Sequence, residues 1–236
     1  MYKTFRFTEV ESHNMFYVSD LHIGHDPKWP EPLWVKRGFA SVIDHDNGLI
    51  NRWNDVCDES SIVWNLGDCT FSDPDGNRFM SLMRRLRFKK HYLLIGNHTS
   101  GARQAYVKTL AARFPDAVTN DGKINYEVYP LEMPVDGNPD KVVVFMPTYV
   151  EIVVKSTRMT LCHYPVASWN HMADNAMQIG GHEHSADPRR APSATDFGKT
   201  IDISVENLLA YGQCPISHAN LKALMDKKSY KPIGHH

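Results

Sequence analysis

Met15-Phe16-Tyr17-Val18-Ser19-Asp20-Leu21-His22 sets a run of apolar and aromatic residues directly before a carboxylate and an imidazole. Runs of this length and composition read as buried strands, so Asp20 and His22 stand where a strand stops. The arrangement then recurs along the chain. Ile62-Val63-Trp64 precedes Gly67-Asp68, and Tyr92-Leu93-Leu94-Ile95 precedes Gly96-Asn97-His98. Met159 to Cys162 precedes His163, and Met177-Gln178-Ile179 precedes Gly181-His182-Glu183-His184. In sheets flanked by helices, ligand sites form outside the carboxyl ends of the strands. Metal-capable clusters at successive strand ends therefore predict one shared site.

The segments between them set the fold class. Helical spacing is expected over roughly Phe39 to Asn54, with Val42, Ile43, Leu49, Ile50 and Trp53 towards one face, then through Phe79, Leu82, Met83 and Leu86, and through Tyr106, Val107, Leu110, Ala111 and Phe114. Strands alternating with helices imply a largely parallel sheet in an α/β protein. The second half reads differently: Ile124 to Leu131, Val142 to Met146, Tyr149 to Val154 and Arg158 to Cys162 are successive strand patterns, with a turn or small excursion at Asp136-Gly137-Asn138-Pro139-Asp140. A second sheet packed on the first is expected, closed by a last helix over about Ser217 to Lys227 with Leu221 and Leu224 inward.

With 236 residues the chain suits one domain, taken as 1–233. Residues 234–236 end the stretch Pro232-Ile233-Gly234-His235-His236 and read as an affinity-tag remnant. A formal net charge of −1 argues against long-range attraction to nucleic acid. No signal peptide and no span-length apolar stretch is read, so a soluble cytoplasmic protein with no membrane partner is expected. Cys57, Cys69, Cys162 and Cys214 lack paired metal or redox spacing and are expected as buried free thiols.

Carboxylate, imidazole and amide oxygen together suit borderline first-row ions such as manganese, iron or zinc. Asp20, His22, Asp68, Asn97, His163, His182 and His184 are too many ligands for one ion but fit two that share a bridging carboxylate. Two ions about 3.5–4 Å apart can clamp a phosphoryl group and acidify the water between them.

The order D-x-H, G-D, G-N-H, a lone histidine after a strand and G-H-x-H resembles the calcineurin-like metallophosphoesterases, from about Phe16 to His184. Leu161-Cys162-His163-Tyr164-Pro165 and Trp169-Asn170 look like the small bacterial and phage members. The resemblance implies a two-sheet β-sandwich flanked by helices, in four layers. It implies Asp20, His22, Asp68 and His184 on a first metal, and Asp68, Asn97, His163 and His182 on a second, with Asp68 bridging. His98 matches the catalytic histidine that contacts the phosphate and protonates the leaving oxygen. The implied cofactors are two divalent ions, manganese first, with iron, zinc, nickel and magnesium as alternatives. The implied reaction is hydrolysis of a small phosphomonoester or phosphodiester, nucleotides included, by a hydroxide bridging the metals.

Two departures bear on His98. Thr99 stands where the family usually has an acidic residue, and no G-D-x-x-D-R-G follows Asp68, which argues against protein phosphatase activity. Asp73 sits two positions late to replace that aspartate and reads as a turn residue. His25 is a further candidate to line the site, and His171 to border it. His13, His45, His91 and His218 are expected at the surface or in ordinary packing. Trp29, Trp34 and Trp169 are expected to cover the core rather than stack a base. The basic run Arg84 to Lys90 is expected as a solvated helix end. The loops Pro27 to Trp34 and Ser168 to Asn175 are expected as pocket walls. The alternatives are a nuclease of the same family, which would need a basic groove, and a non-catalytic protein that only holds metal or phosphate.

Overall fold

The computed structural model of the chain describes residues 4–27, 31–113, 115–121, 131–184 and 198–229. The strands are β1 (Phe5–Phe7), β2 (Met15–Val18), β3 (Ile62–Asn65), β4 (Lys90–Leu93), β5 (Leu131–Val135), β6 (Asn138–Phe145), β7 (Tyr149–Val154), β8 (Thr157–Cys162), β9 (Met177–Gly180), β10 (Thr200–Asp202) and β11 (Ile216–Ser217). The helices are α1 (Glu9–Ser12), α2 (Leu33–Lys36), α3 (Val42–Val56), α4 (Asn77–Arg85), α5 (Ser100–Arg113), α6 (Val205–Ala210) and α7 (His218–Asp226). They form a mixed α/β fold with a six-stranded sheet, ordered β11-β2-β3-β4-β6-β5, and a five-stranded sheet, ordered β1-β7-β8-β9-β10.

β2, β3, β4 and β6 are parallel neighbours, with Phe16 opposite Val63, Val63 opposite His91 and His91 opposite Val143. Every residue of β2 is buried, as expected of a strand covered on both faces. On one face the second sheet meets it through aromatic rings. Phe7 stands edge-on to Trp64 at 5.9 Å and to Tyr92 at 6.1 Å, while Trp64 and Tyr92 stack at 4.2 Å. Both rings of that stack sit in the main core, where truncating such a side chain to alanine costs about 3–5 kcal/mol.

Helices supply the remaining burial. Ser41 caps α3 by accepting the Asp44 N–H, and the helix turns His45, Leu49, Ile50 and Trp53 inward. That stripe repeats every fourth residue, the period of one helix face. The last helix begins at its capping Ser217 and buries Leu221 and Met225, with Leu224 only half-buried. Among the described residues no helix is long and apolar enough to cross a membrane.

The second half departs from expectation in its sheet membership. β6 joins the first sheet, parallel to β4, because its Val142-Val143-Val144-Phe145 run is buried throughout and suits an interior strand. β1, from the N-terminus, completes the second sheet instead, parallel to β7. The turn or small excursion expected over Asp136 to Asp140 is a tight Asp136-Gly137 hairpin between β5 and β6. Both residues have positive φ (51° and 77°), the backbone that two-residue hairpin turns demand. Of the strand expected over Ile124 to Leu131, Leu131 opens β5 and the rest lies outside the described residues, as do Trp29, Phe114 and the C-terminal tag.

Candidate metal centre

Each expected ligand follows the carboxyl end of a strand: Asp20 and His22 after β2, Asp68 after β3, Asn97 after β4, His163 after β8, and His182 and His184 after β9. The loops are also bonded directly to one another. Asp20 N–H donates to the Gly67 carbonyl at 3.1 Å, His22 N–H to Asp68 at 2.9 Å, and Gly181 N–H to His163 at 2.9 Å. Asp20, His22, Asp68, His182 and His184 all have positive φ, between 48° and 75°. Non-glycine residues visit that region at a cost of about 1–2 kcal/mol each, and such strain gathers at functional sites. Gly67 and Gly96 allow the loops to close up. A Cβ on Gly67 would lie 2.8 Å from the Gly96 nitrogen, and one on Gly96 would collide with the Asp68 carboxylate.

Among the described residues, two groups of side chains could hold a metal ion: Asp20, His22 and His184, and Asp20, Asp68 and His163. Within each group the donor atoms lie within 4.8 Å of one another. Asp20 thus belongs to both. Its Oδ1 lies 3.5 Å from His22 Nε2 and 3.4 Å from His184 Nε2, while Oδ2 accepts the His182 N–H at 2.9 Å. Asp68 is arranged alike: Oδ1 accepts the His98 N–H at 2.8 Å, and Oδ2 lies 3.4 Å from His163 Nε2 and 3.8 Å from His22 Nε2. Asn97 Oδ1 sits 2.9 Å from His163 Nε2 and 3.0 Å from His182 Nδ1, which brings those two residues to the same centre. Cys69 and Cys162 are outside both groups; all four cysteines are buried and free.

Hydrogen bonds fix which ring nitrogen faces inward. His163 Nδ1 donates to the Leu66 carbonyl at 3.0 Å, and His184 Nδ1 donates to Glu206 Oε1 at 3.0 Å. Their Nε2 lone pairs therefore point at carboxylate oxygens, an arrangement that only a proton or a cation between them makes favourable. Asp20 Oδ1 and His22 Nδ1 are buried without a hydrogen-bond partner among the described residues.

The electrostatics follow. Burial alone would raise the Asp20 carboxyl, but the adjoining imidazoles of His184 and His22, with His163 nearby, hold it well below its ordinary range. Burial likewise opposes the lowering of Asp68, which His163 brings about. Burial opposes protonation of His163 and His184, yet the adjoining carboxylates raise both. His22 and His182 are pushed down by burial.

A cleft of 250 Å³ opens over the cluster; beyond the expected ligands and His98, its described walls are His25, Leu33 and Lys36. The His98 ring is exposed and touches His22 and Phe71, at centroid distances of 5.3 and 5.5 Å. Neither ring nitrogen has a hydrogen-bond partner among the described residues. Thr99 serves the loop instead: its hydroxyl accepts the Gly96 N–H at 2.5 Å and lies 3.3 Å from Asp68 Oδ1. No hydrogen bond joins Asp73 to His98 among the described residues. Its carboxylate accepts the Arg78 and Phe79 N–H groups at 3.1 and 2.7 Å and so ties the start of α4.

Of the expected pocket walls, the first loop contributes through Leu33, and the second contributes none of the described lining. Trp169 is buried in a small cluster with Met172 and Ala176, and His171 pairs with Asp174 at 3.0 Å. Trp34 donates to Asp26. The basic run is largely paired, Arg84 with Asp136, Arg85 with Asn47 and Lys90 with Glu132.

Sequence reasoning missed the support behind the ligands. Arg37, its side chain fully buried, donates to the Asp20 and Leu21 carbonyls at 2.7 and 2.8 Å and pairs with Glu206 at 3.0 Å. His45, expected at the surface or in plain packing, lies 2.8 Å from Arg37 Nη1 and 2.8 Å from Asp46. His91 and His218 are also buried.

No family model and no curated protein matches the sequence. Among solved structures, the fold is similar to a protein of unknown function from Aquifex aeolicus, with a TM-score of 0.55 and 18% identity over 89% of this chain and 98% of that one. That likeness concerns the fold alone.

Proposed function

We propose that the chain is a metal-dependent phosphoesterase of the calcineurin-like type, with the two sheets as a helix-flanked four-layer sandwich. Its substrates would be small phosphomonoesters or phosphodiesters of nucleotide size. The observation that carries the reading is the pair of locked imidazoles. His163 and His184 each have the outer nitrogen bonded to an acceptor and the inner one aimed at a carboxylate oxygen, 3.4 Å away in both instances. Buried carboxylates and lone pairs converging in this way suit divalent cations, and the mixed oxygen and nitrogen donors suit manganese, iron or zinc.

Asp20, His22, His184 and Asp68 would hold one ion, and Asp68, Asn97, His163 and His182 the other. The chemistry such ions supply is Lewis acidity towards the phosphoryl oxygens and a lowered pKa for the attacking water. Asp68 suits the shared position because Oδ1 is tied to the His98 backbone while Oδ2 faces both His163 and His22. Asp20 holds the His182 backbone in place through Oδ2. His98 lines the cleft, its ring nitrogens without a partner among the described residues; it would contact the phosphate and give a proton to the leaving oxygen as its bond to phosphorus breaks. The 250 Å³ cleft is smaller than most drug-sized pockets, which favours a compact ester over a polymer.

The test is release of p-nitrophenol from p-nitrophenyl phosphate and its bis-ester, after chelation and after adding back manganese. Metal-restored turnover is expected. No turnover of either ester, or of nucleotides and cyclic nucleotides, with any of manganese, iron, zinc, nickel or magnesium would defeat the reading.

A further inference from the structure

His25 is used by nothing in the mechanism above. It follows the first ligand loop, lines the cleft and is half-buried. Its ring packs against Phe71 at 4.3 Å and edge-on to His22 at 5.8 Å. His98 rests on the same two rings, so the two histidines flank a common floor.

The orientation of His25 is fixed by the backbone. The Leu33 N–H, at the first residue of α2, donates to His25 Nδ1 at 3.1 Å. A backbone N–H can only donate, so Nδ1 is the acceptor and the ring proton belongs on Nε2. Should the ring gain a second proton, Nε2 would still carry its own. In either state the nitrogen left without a partner among the described residues is a donor. A fixed N–H donor beside a site for phosphate is what a phosphoryl oxygen needs, and a bond to such a charged acceptor is among the stronger kinds. His98, by contrast, has no side-chain hydrogen bond to hold its ring among the described residues.

Resting on the phosphoesterase reading, we infer that His25 is a substrate-contacting residue whose Nε2–H donates to a non-bridging phosphate oxygen. It orients the ester while His98 serves the leaving group. Leu33 thereby acts as a positioning residue through its backbone.

The experiment compares His25→Asn and His25→Gln in the full chain. Asparagine keeps an acceptor near the place of Nδ1 and loses the reach of Nε2; glutamine can restore the distal donor. Metal content and melting temperature should stay at wild-type values in both. Affinity of the manganese-loaded protein for inorganic phosphate, measured by calorimetry, should fall roughly 10–100-fold in His25→Asn, the usual worth of a bond to a charged group, with much of it regained in His25→Gln. Nitrogen-15 spectra of the metal-free wild type should show His25 protonated on Nε2 and bare on Nδ1. Unchanged phosphate affinity in His25→Asn, equal losses in both variants, or a proton on Nδ1 alone would overturn the inference. A wild type that binds phosphate but cleaves no ester would sink the hydrolase reading, while a loss of that binding in His25→Asn would still support the contact.

Discussion

Replacing Glu206 by glutamine tests the support behind the ligands, because it removes a charge while keeping the side chain's shape. Glu206 is nearly buried and accepts three bonds, from Arg37 Nε at 3.0 Å, Arg37 Nη2 at 3.2 Å and His184 Nδ1 at 3.0 Å. Without its charge, Arg37 stays fully buried and, among the described residues, faces carbonyl oxygens and His45 but no carboxylate. Removing one partner of a buried ion pair typically costs 3–5 kcal/mol. The glutamine keeps an acceptor, so the lower end, about 3 kcal/mol, is expected, or a fall of roughly 6–12 °C in melting temperature for a chain of this size. The second effect is on metal. With a weaker acceptor behind it, His184 becomes a poorer ligand, and such changes lower metal affinity by roughly 10–100-fold. Calorimetric melting without metal and manganese titration read the two effects separately. Adding Arg37→Met to Glu206→Gln should restore much of the stability, since an apolar replacement of a buried pair is often neutral, but not the metal affinity. Manganese affinity unchanged within twofold in Glu206→Gln would refute the claim that Glu206 acts through His184.

His98→Ala should keep full metal content by elemental analysis and lower turnover by roughly 10²–10⁴-fold, less for esters with good leaving groups; an emptied metal site would make His98 structural instead. His91, packed between Trp53 and Phe88 with both ring nitrogens unpartnered among the described residues, is pushed down to about 3 by burial, with Lys141 adding to the effect. Because its folded pKa lies below its unfolded one, the stability it allows is complete above about pH 6.5 and falls as pH drops, by about 1.4 kcal/mol between pH 7.5 and 5.5; His91→Leu should lose that part of the slope in urea titrations at the two pH values, and an unaltered slope would contradict it.

What could be read from the residues was whatever a strand imposes locally. Asp20, Asp68, Asn97 and His163 each follow an apolar run, so their places at strand ends were visible before any tertiary contact was known. β6 was misplaced because Val142 to Phe145 reads equally well in either sheet; only its register against Lys90 to Leu93 decides. Arg37 and Glu206 carry no local signature. One follows a single turn of helix and the other lies in the six-residue α6. Their roles exist only once both reach the Asp20 loop. His45 was findable: with Leu49 and Trp53 it lies on one helix face, and a histidine on a buried stripe needs a polar partner.

The same geometry decides whether the centre is made by metal or waits for it. Five residues hold unfavourable backbone angles, yet each strained loop is bonded to another: His22 to Asp68, Gly181 to His163, and His182 to the Asp20 carboxylate. These bonds involve no metal, so they can keep the loops in place without one. The ligand set would then be built before loading, and loading would exchange cations rather than fold the chain. The exchanged cations are protons. The His184 pKa, raised to about 10, puts a proton between its Nε2 and the Asp20 carboxylate at neutral pH, and Asp68 shifts His163 in the same direction against its burial; a metal taking such a place must expel the proton. Manganese binding near pH 7 should therefore release at least about one proton per chain, read from the dependence of calorimetric enthalpy on buffer ionisation. Affinity should rise with pH until those protons are gone, and backbone circular dichroism should barely change. Release near zero, or a large gain of secondary structure on loading, would mean that the metal-free loops are arranged otherwise.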